Sequence, residues 1–312
     1  MSGVAISNKC NNNCLMCPVD WRFSPPDNPT PREVINKLKK DRPLKDPYIA
    51  ISGGEPTLNK DLLGILSSVK KEFPEKELCL LTNGRMFAYR EYALKFASSR
   101  LDNLKIAIPI HGHSQNLHDS ITASPGSFRQ TIAGLRNLLE KDLPVEIRVV
   151  INRLNFKHLL DIAKFIRRNF SGALYVVFIA MEIEGKAVEN REMMAPKYKE
   201  FIPDLEASVD YLLKAGIDIR LYHFPLCLIK PGHWNLCWNS VERIDVQFLP
   251  VCKKCGVRKF CMGALKSYAR NVSRKEFKAI NHHPVIIESS NKQNPILRVS
   301  GILADEPGNS KK

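Results

Sequence analysis

Eight of the nine cysteines fall into two groups, three between residues 10 and 17 and five between 227 and 261, while Cys79 stands alone. Clustered cysteines in a reduced compartment read as metal or redox sites before they read as disulfides. The first group is Cys10-Asn-Asn-Asn-Cys14-Leu-Met-Cys17. Three thiolates can hold three irons of a [4Fe–4S] cluster and leave the fourth iron open to a small molecule. Zinc is the competing reading, but it would want a fourth ligand close by or a different ligand mix. In the second group, Cys252, Cys255 and Cys261 again have metal-ligand spacing, and Cys227 brings the count to four thiolates. Four suffice for a complete second cluster, with a four-thiolate structural zinc site as the alternative. Cys237 is left over. His223 and His233 flank this group and read as solvent-facing loop residues. Cys79 reads as a small hydrophobe inside a strand.

These cysteines need a scaffold, and the hydrophobic pattern supplies one. Short apolar runs at Val4–Ser7, Tyr48–Ser52, Leu78–Thr82, Leu104–Ile110, Val145–Ile151 and Leu174–Ala180 alternate with amphipathic stretches. Runs rich in Val, Ile and Leu suit parallel strands buried on both faces. Helices are expected over Pro31–Lys40, around Leu62–Val69, and over Phe87–Ser98, Ser127–Glu140 and Lys157–Asn169. A helix near Lys199–Lys214 and a strand near Ile217–Leu221 close the unit. The fold class is α/β, with a core over residues 1–222. A small Cys-rich domain over 223–275 has too little apolar periodicity to order itself without a metal site. A tail over 276–312 holds one strand-like run, Ile296–Ile302, and an end at 308–312 that should fray.

The cysteine spacing Cys-x3-Cys-x2-Cys, placed directly after the first strand, resembles the signature of the radical S-adenosylmethionine (SAM) superfamily. Ser52-Gly53-Gly54-Glu55-Pro56-Thr57 resembles that family's GGE motif, and Leu81-Thr82-Asn83-Gly84 is similar to the end of its third strand. The resemblance implies a partial (β/α)6 TIM-like barrel with the site at the C-terminal ends of the strands. It implies that Cys10, Cys14 and Cys17 hold a [4Fe–4S] cluster, with Met16 near the adenine in place of the usual aromatic residue. Gly53, Gly54, Glu55 and Thr57 would then receive the methionine ammonium of SAM, and Asn83 would lie beside them. Pro109 stands where relatives often carry a ribose-binding Ser, so His111 is the substitute. Arg148 and Asn152 on the fifth strand would lie near the SAM carboxylate, for which the guanidinium fork is suited. The activity implied is reductive cleavage of SAM to methionine and a 5′-deoxyadenosyl radical, which takes a hydrogen atom from the substrate.

The tail resembles the SPASM and twitch domains of peptide-modifying members, although Leu265 stands where a further Cys is expected. A narrower resemblance is to the maturases of His-Xaa-Ser repeat peptides (HxsC type). It rests on His118-Asp119-Ser120-Ile121-Thr122, Pro125-Gly126-Ser127-Phe128, Ile147-Arg148-Val149-Val150, Pro225-Leu226-Cys227-Leu228 and Leu249–Cys255. These imply a ribosomally made precursor peptide as substrate and an auxiliary [4Fe–4S] cluster on Cys227, Cys252, Cys255 and Cys261. The formal net charge of +15 admits an acidic partner. Such a partner would be a flavodoxin- or ferredoxin-like electron donor or an acidic peptide. RNA is less favoured, because no basic stripe interleaved with aromatics is present. An RNA- or small-molecule-modifying enzyme and a glycyl-radical activating enzyme are the alternatives. No apolar run reaches transmembrane length. The first residues, Met1–Ile6, lack a basic region and a long apolar stretch, so a cytoplasmic location is expected.

Overall fold

The computed structural model describes residues 3–19, 28–40, 47–281 and 284–300. Eight parallel strands form one sheet in strict chain order: β1 (Gly3–Ala5), β2 (Tyr48–Ser52), β3 (Glu77–Leu81), β4 (Leu104–Pro109), β5 (Val145–Ile151), β6 (Tyr175–Ala180), β7 (Ile219–Tyr222) and β8 (Cys237–Trp238). Sequential parallel pairing requires a crossover between every pair of strands. Helices α1 (Pro31–Lys40), α2 (Leu62–Glu72), α3 (Arg90–Ser98), α4 (Gln115–Thr122), α5 (Ser127–Leu139), α6 (Leu159–Asn169), the short α7 (Lys186–Glu189) and α8 (Arg191–Met194), and α9 (Tyr198–Lys214) fill the first six crossovers. The result is the expected α/β partial barrel.

Helical spacing explains which face of each helix is buried. Leu62, Ile65, Leu66 and Val69 of α2 lie at i, i+3, i+4 and i+7, as do Leu159, Ile162, Ala163 and Ile166 of α6. Two expected helices begin later than the pattern suggested. Residues 85–88 and 156–158 are 3-10 turns that lead into α3 and α6. Helix α4 was not foreseen, because its polar sequence Gln-Asn-Leu-His-Asp-Ser-Ile-Thr carries little apolar periodicity. Asp119 on α4 accepts from the backbone N–H of Gly126 and Phe128 and from the Ser127 hydroxyl, at 2.7–2.8 Å. It thereby caps the start of α5 from a neighbouring helix, which accounts physically for the His118–Thr122 and Pro125–Phe128 stretches.

Strand alternation sorts β5 into two faces. Ile147, Val149 and Ile151 join the helix-covered core, and Glu146, Arg148 and Val150 point to the barrel interior. There Glu146, fully buried, accepts from Arg148 Nε at 2.5 Å and from Tyr175 Oη at 2.7 Å. Burial alone would raise this carboxyl, but Arg148 and Lys105 outweigh it and hold its pKa below the usual value. Arg220 stacks 3.5 Å over the Tyr175 ring and 4.3 Å over Trp238.

The sheet runs past residue 222, since β8 arises from the Cys-rich segment and pairs with β7 through Leu221↔Cys237 and Tyr222↔Trp238. One hydrophobic core continues from Val4 to Ile296. Aromatic contacts join the two parts: Tyr198 of α9 packs on Tyr268 and Phe277, with ring centroids 4.4 and 6.2 Å away. The hairpin β9 (Val246–Gln247) and β10 (Ala264–Leu265) brackets the last three cysteines, and α10 (Lys266–Asn271) follows it. The expected strand at Ile296 is β12 (Ile296–Ser300), paired with β11 (Val285–Glu288). The end at 308–312 lies outside the described residues. Among the described residues no helix is long and apolar enough to cross a membrane.

Candidate active site

The loop that carries Cys10, Cys14 and Cys17 leaves β1 at the C-terminal edge of the sheet. The glycine motif after β2 fixes its start. The backbone N–H of Gly54 donates to Ser7 O and that of Glu55 to Lys9 O, both at 2.7 Å, so pairing continues past the strands. Gly53 has φ +139°, and a Cβ there would stand 2.5 Å from Ser7 O, so only glycine fits so close to the cysteine strand.

Glu55 is 1% exposed. Its carboxylate accepts from Thr57 N (3.0 Å), Thr57 Oγ1 (2.5 Å), Thr82 Oγ1 (2.6 Å) and Asn83 N (2.7 Å). Sequence reasoning assigned Glu55 and Thr57 to the SAM ammonium. In the structure the two side chains bond to each other, and Glu55 also to Thr82 and Asn83 just past β3, so they brace the site. Burial pushes the Glu55 carboxyl up despite these bonds.

The brace reaches the cysteines through Asn83. Its Nδ2 donates to Asn11 Oδ1 at 2.6 Å and lies 4.0 Å from Cys10 Sγ. Arg85, which sequence reasoning missed, clamps the same loop. It donates to Asn11 O, to Asn12 Oδ1 at 2.8 Å and, through Nε, to Gln130 Oε1 at 2.6 Å. No spacing rule marks Arg85; only its closeness to Asn83-Gly84 hints at it. Arg85→Met should cost about 1.5–3 kcal/mol, the usual worth of charged hydrogen bonds. Denaturant melts would measure this, alongside faster loss of iron from the reconstituted protein.

The far side of the loop is zipped to other crossovers. Asn13 N donates to Thr122 O and Leu15 N to Ile121 O, both at 3.0 Å, at the end of α4. Lys186 N donates to Cys17 O at 3.0 Å and Asn190 Nδ2 to Leu15 O at 3.0 Å. Burial pushes all three thiols up, Cys14 to about 12, where the charges of Cys10 and Cys17 add to the effect. Three part-buried thiols with little countercharge are poised for a cationic iron centre, whose binding displaces their protons.

Cys14, Met16 and Cys17 open onto a cavity of about 450 Å³, with Arg148 and Tyr222 at its inner wall. Arg148 therefore does reach the cavity, with its Nε paired to Glu146. Asn152 is fully buried; its Nδ2 lies 3.5 Å from Met16 Sδ, so it seats Met16 and does not face a ligand. His111 is 3% exposed, packs on His118 with ring centroids 5.3 Å apart, and is not part of the cavity wall. The ribose contact expected of it is not supported.

His118 explains part of this burial. Its Nδ1 accepts from the His111 backbone N–H at 3.2 Å, and burial lowers its pKa from 6.5 to about 4. The folded value lies below the unfolded one, so its contribution is intact above about pH 6.5 and is lost as pH falls toward 4. His118 should contribute about 2 kcal/mol less at pH 5 than at pH 7, in addition to a loss of the same sign from His111, which burial also lowers. His118→Gln should flatten that slope in denaturant melts at the two pH values.

His223 and His233 are buried, at 7% and 3% exposure, not solvent-facing. His223 lines the cavity at φ +71°, donates through Nδ1 to Ala180 O at 2.9 Å, and turns Nε2 toward Glu182 at 3.5 Å. His233 pairs with Asp210 at 2.8 Å on the outer side of the tail. Glu182, Glu242 and Asp245 form an acidic wall of the cavity. Burial and then the charges of Glu182 and Glu242 raise Asp245.

The tail cysteines Cys227, Cys252, Cys255 and Cys261 line one pocket. Backbone N–H groups already point at its sulfurs: Leu226 and Gly263 at Cys261, each 3.4 Å, and Ile280 at Cys255, 3.5 Å. Burial pushes Cys261 up to about 11 and raises Cys227. Cys237 sits buried on β8 and does not line that pocket, and Cys79 is buried inside β3.

The family model of the radical SAM superfamily matches residues 4–166, just over half of the chain. This chain belongs to the radical SAM superfamily. Membership implies a [4Fe–4S] cluster and SAM as cofactors. Among curated relatives, a probable GTP 3′,8-cyclase of Methanocaldococcus jannaschii is 29% identical over 59% of this chain and 60% of its own length. The GTP 3′,8-cyclase of Nautilia profundicola is 25% identical over 77% of this chain and 76% of its own. Among solved structures, Streptococcus suis SuiB bound to its precursor peptide SuiA superposes with a TM-score of 0.55 at 15% identity. That match covers 70% of this radical SAM chain and 47% of SuiB, so the chain spans about half the length of that relative. At such identity the likeness speaks for the fold alone.

Proposed function

We propose that this radical SAM enzyme modifies a ribosomally synthesised peptide, in the manner of His-Xaa-Ser maturases, and carries a second [4Fe–4S] cluster on Cys227, Cys252, Cys255 and Cys261. The observation that carries the reading is the convergence of those four thiols on one pocket, with backbone donors already aimed at the sulfurs. Hydrogen bonds to cluster sulfurs are a main lever on reduction potential.

On this reading Cys10, Cys14 and Cys17 hold the SAM-binding cluster, which supplies the electron that generates the radical. The chain's own residues position and shield. Gly53 and Gly54 hold the cysteine loop against the sheet, Asn83 and Arg85 orient it, and Met16, seated by Asn152, covers one side of the cavity. Exposed Lys253, Lys254, Arg258 and Lys259 surround the tail cysteines and suit an acidic electron-donor protein.

A small-molecule substrate is the second reading, favoured by the cyclase relatives. The acidic wall of Glu182, Glu242 and Asp245 weighs against GTP, whose triphosphate it would repel. The test incubates the reconstituted enzyme with SAM and dithionite. Separate reactions receive GTP or the short peptides encoded beside its gene. A SAM-dependent mass change in a peptide with GTP untouched is expected. Consumption of GTP with every peptide unaltered would transfer the enzyme to the small-molecule class.

A further inference from the structure

Away from both cysteine groups, three side chains of the β4 and β5 crossovers converge. His113 lies in the loop between β4 and α4, His158 ends the 3-10 turn after β5, and Asp161 sits in the first turn of α6. One ligand atom from each falls within 4.8 Å of the others. The two rings stand 5.5 Å apart, and His158 Nδ1 is 3.8 Å from Asp161 Oδ2, too far for a hydrogen bond. His113 Nδ1 is buried and has no hydrogen-bond partner. A buried ring nitrogen without a partner costs about 1–3 kcal/mol, so this one invites a ligand. The only nearby competitor for the carboxylate among the described residues is Lys164, whose Nζ is 3.9 Å from Asp161 Oδ1.

We propose that His113, His158 and Asp161 form a site for a divalent transition metal of the zinc class. Two imidazoles and one carboxylate suit such a borderline ion, and a fourth position remains for water. Bonds of about 2.0–2.2 Å would draw the three donors together by about an ångström, a shift that a surface loop and a helix start can absorb. The metal would staple the β4–α4 loop to the start of α6. Asn155 Nδ2 already ties these segments by donating to His111 O at 3.1 Å. That loop leads into α4, whose end holds Asn13 and Leu15 of the cysteine loop. The site therefore buttresses the first cysteine group without touching it, and it stands whatever the substrate proves to be.

The test uses the iron-loaded holoprotein, so that the cluster cysteines are occupied, dialysed against zinc chloride under anaerobic conditions. About one zinc per chain beyond the iron should be retained, with a rise in unfolding temperature. Asp161→Asn and His158→Ala, both at half-exposed side chains, should lose the zinc and the thermal shift while keeping iron content unchanged. Equal zinc retention in wild type and both variants, or no retention by the wild type, would overturn the assignment.

Discussion

Cys14→Ala should abolish SAM cleavage and remove about four irons from each fully loaded chain, leaving about four on the tail cysteines. Cys14 is the thiol that burial raises most among the three, and it lies on the cavity wall beside Met16 and Cys17. Its loop cannot reshape to offer another donor. Gly54 and Glu55 fix one end, Ile121 and Thr122 the middle, and Lys186 the far end. Two thiolates cannot retain a four-iron cluster, so the effect is all-or-none and not graded. Iron analysis and chromatography of 5′-deoxyadenosine check both halves. Unchanged iron in this variant would mean that the first cluster is held elsewhere.

Glu55→Ala should destabilise the protein by about 3–5 kcal/mol, because it leaves two threonine hydroxyls and the N–H of Thr57 buried, and the N–H of Asn83 half-buried, around an empty acceptor. For a chain of this length that is a fall of roughly 5–10 °C in melting temperature. A residue that merely bound SAM would show weaker SAM affinity at unchanged stability. Thermal melts with and without SAM separate the two. Equal melting temperatures for variant and wild type in the absence of SAM would return Glu55 to a ligand-binding role.

The contrast at Glu55 shows what a single chain can and cannot tell. Its place after a strand, behind two glycines, was legible, and so was its importance. Its partners Thr82 and Asn83 are more than twenty-five residues away, and only folding brings them to the carboxylate. The strands were legible because Val- and Ile-rich runs such as Val145–Ile151 have few other uses. Strand β8 was not, because two residues in a segment rich in Cys, Pro and Trp carry no period. His223 was misjudged for a related reason. Its cover comes from the strand end at Ala180 and from Tyr198, whose Oη donates to His223 O, and loop composition does not reveal that. Arg148 shows the reverse case. Its Nε is paired with Glu146, two residues away on the same face of the strand, a partner that strand alternation alone puts within reach.

The Cys10, Cys14 and Cys17 loop should support reductive cleavage of SAM. Its most direct test is to reconstitute the full chain with iron and sulfide under anaerobic conditions, add SAM and dithionite, and quantify 5′-deoxyadenosine. The iron-loaded wild type should yield 5′-deoxyadenosine and Cys14→Ala none. Iron-loaded wild-type protein that binds SAM yet yields no 5′-deoxyadenosine would contradict it.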